Sequence, residues 1–190
     1  MDSPEYVIYI QGIGDQPKEQ ERLAELWEPY GLCIEPQLID WTSTDYEQRL
    51  EDIGNRVEQL SEQGKLSMVG ASGGGKPALS LFASHPDSIH RVITISSKVD
   101  RYVISPVTRK LFPNLVISSD VLPNSLKKIS GEMLKRILCL HPLSDDVVAP
   151  KDAVLTGANY HTVQANGHIP GIAHALTVES GVIADFIRRE

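Results

Sequence analysis

The stretch VGASGGGKPA, Val69 to Ala78, holds two incompatible chemistries. Read as G-x-x-x-x-G-K, Gly70 through Lys76 is most of a phosphate-binding loop. Read as G-x-S-x-G, Gly70 through Gly74 is the sharp turn that displays a nucleophilic serine, here Ser72. Both need a strand before and a helix after, and KLSMVGASGGGKPALSLFASH supplies that order for either. The phosphate loop fails at its next position, where Pro77 replaces the Ser or Thr that would ligate magnesium. The next strand runs VITISSKVD, with Ser96 and Ser97 where an acid should hold the ion. The serine turn gains from each further residue. Its strained backbone needs small neighbours, and Gly70, Ala71, Gly73 and Gly74 are small. Pro77 then falls in the first helical turn, where a missing N–H costs little.

A glycine-rich turn can equally be a packing device without chemistry. Partners must decide. After the strand RILCLHP comes LSDDVVAP, with Asp145 and Asp146 just past the strand end. After the strand YHTVQA comes NGHIPG, with His168 in the same relation. Upstream, YVIYIQGIGDQP ends a first strand in a glycine-containing loop able to aim a backbone N–H at the same place. Ser, acid and His thus follow one another, each beyond a strand. Either aspartate could be the acid; the spacing to Val148 favours Asp145. His174 competes with His168, but GIAHALTVES reads as a helix start. His161 lies within a strand, and His85 and His90 flank the end of the helix after Ser72. His141, near the acid loop, could line a pocket. Lys76 reads as a solvated first-turn lysine, and Trp27 and Trp41 as packing residues.

The elements that must hold these residues are legible. YVIYI (6–10), LSMV (66–69), VITI (92–95) and ILCL (137–140) are near-continuously apolar, as strands covered on both faces of a parallel sheet should be. LCIEPQLI (32–39), with Pro36, and the alternating YHTVQA (160–165) have edge character. Leu23, Leu26, Trp27 and Tyr30 fall on one face of a first helix. Tyr46, Leu50, Ile53, Val57 and Leu60 stripe a second, opened by a capping box at Thr44 and Glu47 and stopped near Gly64. A third follows the glycine-rich turn, with Leu81 and Phe82 facing the sheet. A last one runs from about Ala173 to Arg188 and buries Val182, Ile183, Phe186 and Ile187. The alternation predicts an α/β fold: an open, doubly wound, mainly parallel six-stranded sheet with helices on both faces. Ligands in such sheets sit beyond the C-terminal strand ends. The interval 98–134, broken by Pro106, Pro113 and Pro123, reads as a loop with one or two short helices that forms a wall of the site.

Composition bounds the function. The 190 residues suit one domain, 1–190, that buries about 70% of its unfolded surface. A formal charge of −7 argues against nucleic acid or an anionic membrane as partner. No apolar run approaches the ~18 residues of a membrane span. The N-terminus has no basic n-region, so a cytoplasmic location is expected. The two cysteines, Cys33 and Cys139, lie in apolar runs and read as buried thiols of a reducing compartment. Cysteines and histidines show no zinc-type spacing, and neither metal nor cofactor is expected.

On these motifs the sequence resembles the α/β-hydrolases, specifically small members without a large lid, from about Tyr6 to Phe186. GASGG resembles the family's nucleophile elbow, which makes Ser72 the implied nucleophile. SDDVVAP resembles its acid loop and implies Asp145 as triad acid. NGHIPG resembles its terminal Gly-His loop and implies His168. Gln11-Gly12 stands where the family has a His-Gly pair, so the implied oxyanion donors are the amides of Ile13 and Gly73. The family's early antiparallel strands are absent. The resemblance implies a serine hydrolase of a small acyl substrate. Two alternatives stay open: a non-catalytic binding protein that keeps the fold, and a nucleotide-binding protein using Gly70–Lys76.

Overall fold

The computed structural model describes residues 4–14, 17–99 and 104–189, with the backbone alone over 17–21. Six strands form one sheet: β1 Glu5–Ile10, β2 Leu32–Gln37, β3 Lys65–Ala71, β4 Arg91–Ile95, β5 Ile137–Ser144 and β6 Asn159–Asn166. Their order is β2-β1-β3-β4-β5-β6. Every adjacent pair is parallel. The apolar runs are the inner strands because both faces are covered; all five residues of β4 are buried. Pro36 lies on the edge strand β2, where its missing N–H breaks no ladder.

Two apolar layers flank the sheet. Val7, Tyr9, Val69, Ile93 and Leu138 point to one face, which is covered by helices α1 Pro17–Trp27, α7 His168–Thr177 and α8 Ser180–Arg188. Ile8, Ile10, Leu66, Met68 and Val92 point to the other, under α2 Tyr46–Ser61, α3 Gly75–Ser84 and α5 Pro113–Leu126. The alternation along each strand divides the core, as the pleat requires. Chain direction across the sheet reverses between β1 and β3, which opens a crevice at their C-terminal ends.

Four expectations needed correction. The interval 98–134, of which 100–103 lie outside the described residues, carries three helices: α4 Pro106–Leu111, α5 and α6 Gly131–Leu134. Pro106 and Pro113 open helices instead of breaking the segment, because the first turn needs no N–H there. The capping box at Thr44 and Glu47 does not form. The Tyr46 N–H instead donates to Asn114 Oδ1 at 3.0 Å, a cap supplied from α5. The expected last helix is two, divided at Val178 and Glu179. The Glu179 carboxylate accepts from the Gln164 N–H at 2.8 Å and contacts His161 Nε2 at 2.6 Å, which ties the break to β6. In α1, Leu23 and Trp27 are buried as expected, but Leu26 stays 47% exposed.

Candidate active site

β3 ends at Ala71, a 3-10 turn takes Ser72–Gly74, and α3 begins at Gly75. The turn is this tight because nothing projects from its glycines. A Cβ on Gly70 would lie 2.4 Å from the Gly74 carbonyl oxygen, so the strand and the helix entry could not approach as they do. Ser72 has φ +48°, and among the described residues only Ser96, at +49°, is another non-glycine with positive φ. That conformation costs an L-residue about 1–3 kcal/mol and is held by its surroundings. It lifts the Ser72 side chain above the strand ends, at the crevice between β1 and β3.

The partners arrive from two other strands. Asp145 follows β5 directly, and His168 is the first residue of α7 after β6. Ser72 Oγ lies 2.9 Å from His168 Nε2. His168 Nδ1 lies 2.9 Å from Asp145 Oδ2 and 3.1 Å from its Oδ1. The Asp145 carboxylate is wholly buried and the imidazole nearly so. Asp145 Oδ1 also accepts the N–H groups of Val147 and Val148, both at 2.8 Å. The carboxylate is therefore solvated by its own loop in place of water.

Asp146 points elsewhere: its Oδ1 accepts the His168 backbone N–H at 3.0 Å. His161, His174, His141 and His85 make their contacts away from Ser72. His174 pairs with Glu179 at 3.4 Å in the last turn of α7, so it ends that helix instead of starting one. His141 stacks on Tyr160, and His85 lies 3.7 Å from Glu58.

The loop after β1 packs against Ser72. A Cβ on Gly12 would come within 2.9 Å of Ser72 Cβ. Trp41, just past β2, donates its indole N–H to the Gly12 carbonyl at 3.1 Å and fixes that loop. Ile13, the next residue, packs on the core between sheet, α2 and α3. Gly73 faces Trp41 and Leu115; a Cβ there would meet the indole at 3.2 Å and Leu115 Cδ1 at 3.4 Å. Leu115 brings α5, part of the 98–134 interval, to the site. Trp41 was legible only as a packing residue, and only its place beyond a strand end could have marked it. Nothing local marks Leu115.

Lys76 is not solvated. It is 2% exposed, because α3 lies between the sheet and α5 with residues Gly75 to Phe82 all buried. Burial first, then the charge of Lys98, push its ammonium down to about 8. Among the described residues no cluster of three or more His, Cys, Asp or Glu could hold a metal ion. None of the described helices is long and apolar enough to cross a membrane. Cys139 is buried, whereas Cys33, on the edge strand β2, is exposed.

No family model and no curated protein matches the sequence. Solved structures match the fold. A structure of LipS and LipT, two metagenome-derived lipolytic enzymes, aligns with TM-score 0.65 and 16% identity over 100% of this chain and 95% of that one. The thioesterase domain from the curacin biosynthetic pathway aligns with TM-score 0.62 and 16% identity, over 100% and 93%. MGS-MChE2, an α/β-hydrolase enzyme from the metagenome of sediments of the lagoon of Mar Chica, Morocco, aligns with TM-score 0.67 and 12% identity, over 98% and 92%. At such identities the likeness is one of fold. With its parallel sheet wound on both faces and its strand–turn–helix at Ser72, this chain adopts the α/β-hydrolase fold.

Proposed function

We propose that this protein is a serine hydrolase that cleaves a small ester, or a related thioester or amide, through an acyl-serine. The observation that carries the reading is the relay from Ser72 Oγ through the His168 ring to Asp145, with 2.9 Å at each link. Lipolytic and thioesterase structures of the same fold lend it support.

A serine hydroxyl is protonated at neutral pH and a poor nucleophile. With the Nδ1–H donating to Asp145, Nε2 is the lone-pair nitrogen and accepts the Ser72 proton as Oγ attacks the acyl carbon. The imidazolium that forms is balanced by the Asp145 carboxylate. It returns the proton to the leaving alkoxide, thiolate or amine. Water then attacks the acyl-serine while His168 takes a proton from it; the imidazolium gives that proton to Ser72 Oγ as the acyl C–O bond breaks, which frees the serine hydroxyl and the carboxylic acid. The amides of Ile13 and Gly73 are the proposed donors to the tetrahedral oxyanion, each typically worth about 3 kcal/mol. The packing of Gly12 on Ser72 and the indole bond that fixes the Gly12 loop favour Ile13 for this.

The experiment is active-site labelling with a fluorophosphonate, read by intact mass and peptide mapping. Wild type takes one label on Ser72. Ser72→Ala takes none and loses turnover of p-nitrophenyl acetate, with its melting temperature nearly unchanged. A folded wild-type chain that never labels would sink the proposal.

A further inference from the structure

His168 opens α7, and a residue there has no intrahelical acceptor for its backbone N–H. A side-chain oxygen at the preceding position would serve the N–H groups of the second and third helical residues, not this one. That position is Gly167, which has φ +91° and no side chain to offer. The acceptor comes from another loop: Asp146 Oδ1, 3.0 Å from the His168 nitrogen. Consecutive aspartates thus hold one histidine at two places, Asp145 by the ring and Asp146 by the backbone.

The two loops are joined around this pair. The Gly167 N–H donates to the Ser144 carbonyl at 2.7 Å. Ser144 Oγ–H donates to Asn166 Oδ1 at 2.8 Å. The pairing of β5 with β6 shifts register between Pro142 and Ser144 and resumes at Ser144 and Asn166, the last residues of the two strands. Asp146 holds the backbone nitrogen bonded to the His168 Cα. The bond from the His168 N–H is also the first cause holding the Asp146 carboxyl below the usual carboxylate range. Asp146 is therefore an ionised acceptor at neutral pH, at the positive end of the α7 dipole.

We infer that Asp146 is a positioning residue, one that fixes the His168 backbone so that the imidazole spans Ser72 and Asp145. This rests on the serine-hydrolase reading above. The helix does not depend on it for existence, because Ile172, Ala175 and Leu176 bury α7 against the sheet. Without it the first turn of α7 frays and the ring loses its distance to Ser72. A misplacement of about 1 Å costs up to about 100-fold in rate.

The test compares wild type, Asp146→Ala and Asp146→Asn by p-nitrophenyl acetate kinetics, melting temperature and hydrogen exchange of the His168 amide. Asparagine keeps an oxygen that can accept the N–H; alanine does not. Asp146→Ala is expected to lower kcat at least about tenfold with KM within about twofold, and to lose protection at the His168 amide. Its melting temperature should move little. Asp146→Asn should restore the protection and bring kcat to within about threefold of wild type. Wild-type kcat in Asp146→Ala, or equal loss in both variants, would overturn the positioning role. If wild type neither turns over nor labels, the hydrolase reading fails, and the amide protection still decides whether Asp146 holds the histidine.

Discussion

Replacing Asp145 by asparagine changes one atom type and tests the relay at its most constrained point. Asp145 Oδ1 accepts two backbone N–H groups, from Val147 and Val148. In the variant, the amide oxygen must stay there. Turned the other way, the amide NH2 would face two N–H donors and leave both unsatisfied, at about 1–3 kcal/mol each. The amide nitrogen is thereby forced into the place of Oδ2, which lies 2.9 Å from His168 Nδ1. A donor at the nearer position favours Nδ1 as the lone-pair nitrogen over an Nδ1–H directed at the amide oxygen 3.1 Å away, which moves the ring proton to Nε2. The nitrogen 2.9 Å from Ser72 Oγ then cannot accept its proton. No solvent can take over, because the Asp145 side chain is wholly buried. The expected loss in kcat is about 10⁴-fold, with the fold intact. Steady-state turnover of p-nitrophenyl acetate, together with the rate of fluorophosphonate labelling, reads it directly. An asparagine variant within about tenfold of wild type on both would refute the tautomer argument and remove Asp145 from the relay.

The depressed ammonium of Lys76 makes stability depend on pH. A lysine whose folded-state value falls from 10.5 to about 8 is penalised while charged: the penalty is complete below about 8, shrinks as pH rises, and is gone above the unfolded value. That shift corresponds to about 3 kcal/mol. The stability of wild type relative to Lys76→Met should therefore rise as pH goes from about 8 toward 10.5 in urea unfolding; a difference independent of pH would contradict the assignment. Gly12→Ala places a Cβ 2.9 Å from Ser72 Cβ and 3.3 Å from the Ala71 carbonyl oxygen, so Ser72 or the loop beside it must shift. Its kcat should fall by about 10–100-fold at nearly unchanged KM; a wild-type kcat would mean that the loop after β1 does not set the site.

How much of this was legible from residues follows a physical divide. Apolar runs such as VITI and ILCL read as buried strands because burial on two faces leaves few polar positions, Thr94 alone in these two. Ser72, Asp145 and His168 could be picked out because a parallel sheet brings the residues after its strands to one rim, whichever strands they follow. Local steric rules also wrote the turn: small residues between Gly70 and Gly75, and a proline admitted only in the first helical turn. The sequence on its own therefore determined the sheet, its two-sided covering and the candidates Ser72 and His168, with Asp145 only favoured over Asp146. Other features depended on contacts between residues far apart in the chain. The capping box at Thr44 looked sufficient until Asn114, 68 residues later, took the Tyr46 N–H. Lys76 looked solvated because nothing near it in sequence announces that α5 covers α3. The last helix divides at Glu179 because β6 claims its carboxylate. Asp145 and Asp146 are adjacent and chemically identical, and only the approach of α7 gives one the imidazole and the other the backbone N–H. Periodicity and turn sterics act within a few residues, so they can be read along the chain. Caps, burial and the division of labour between neighbouring carboxylates arise where distant segments meet, and the tertiary structure alone decided them.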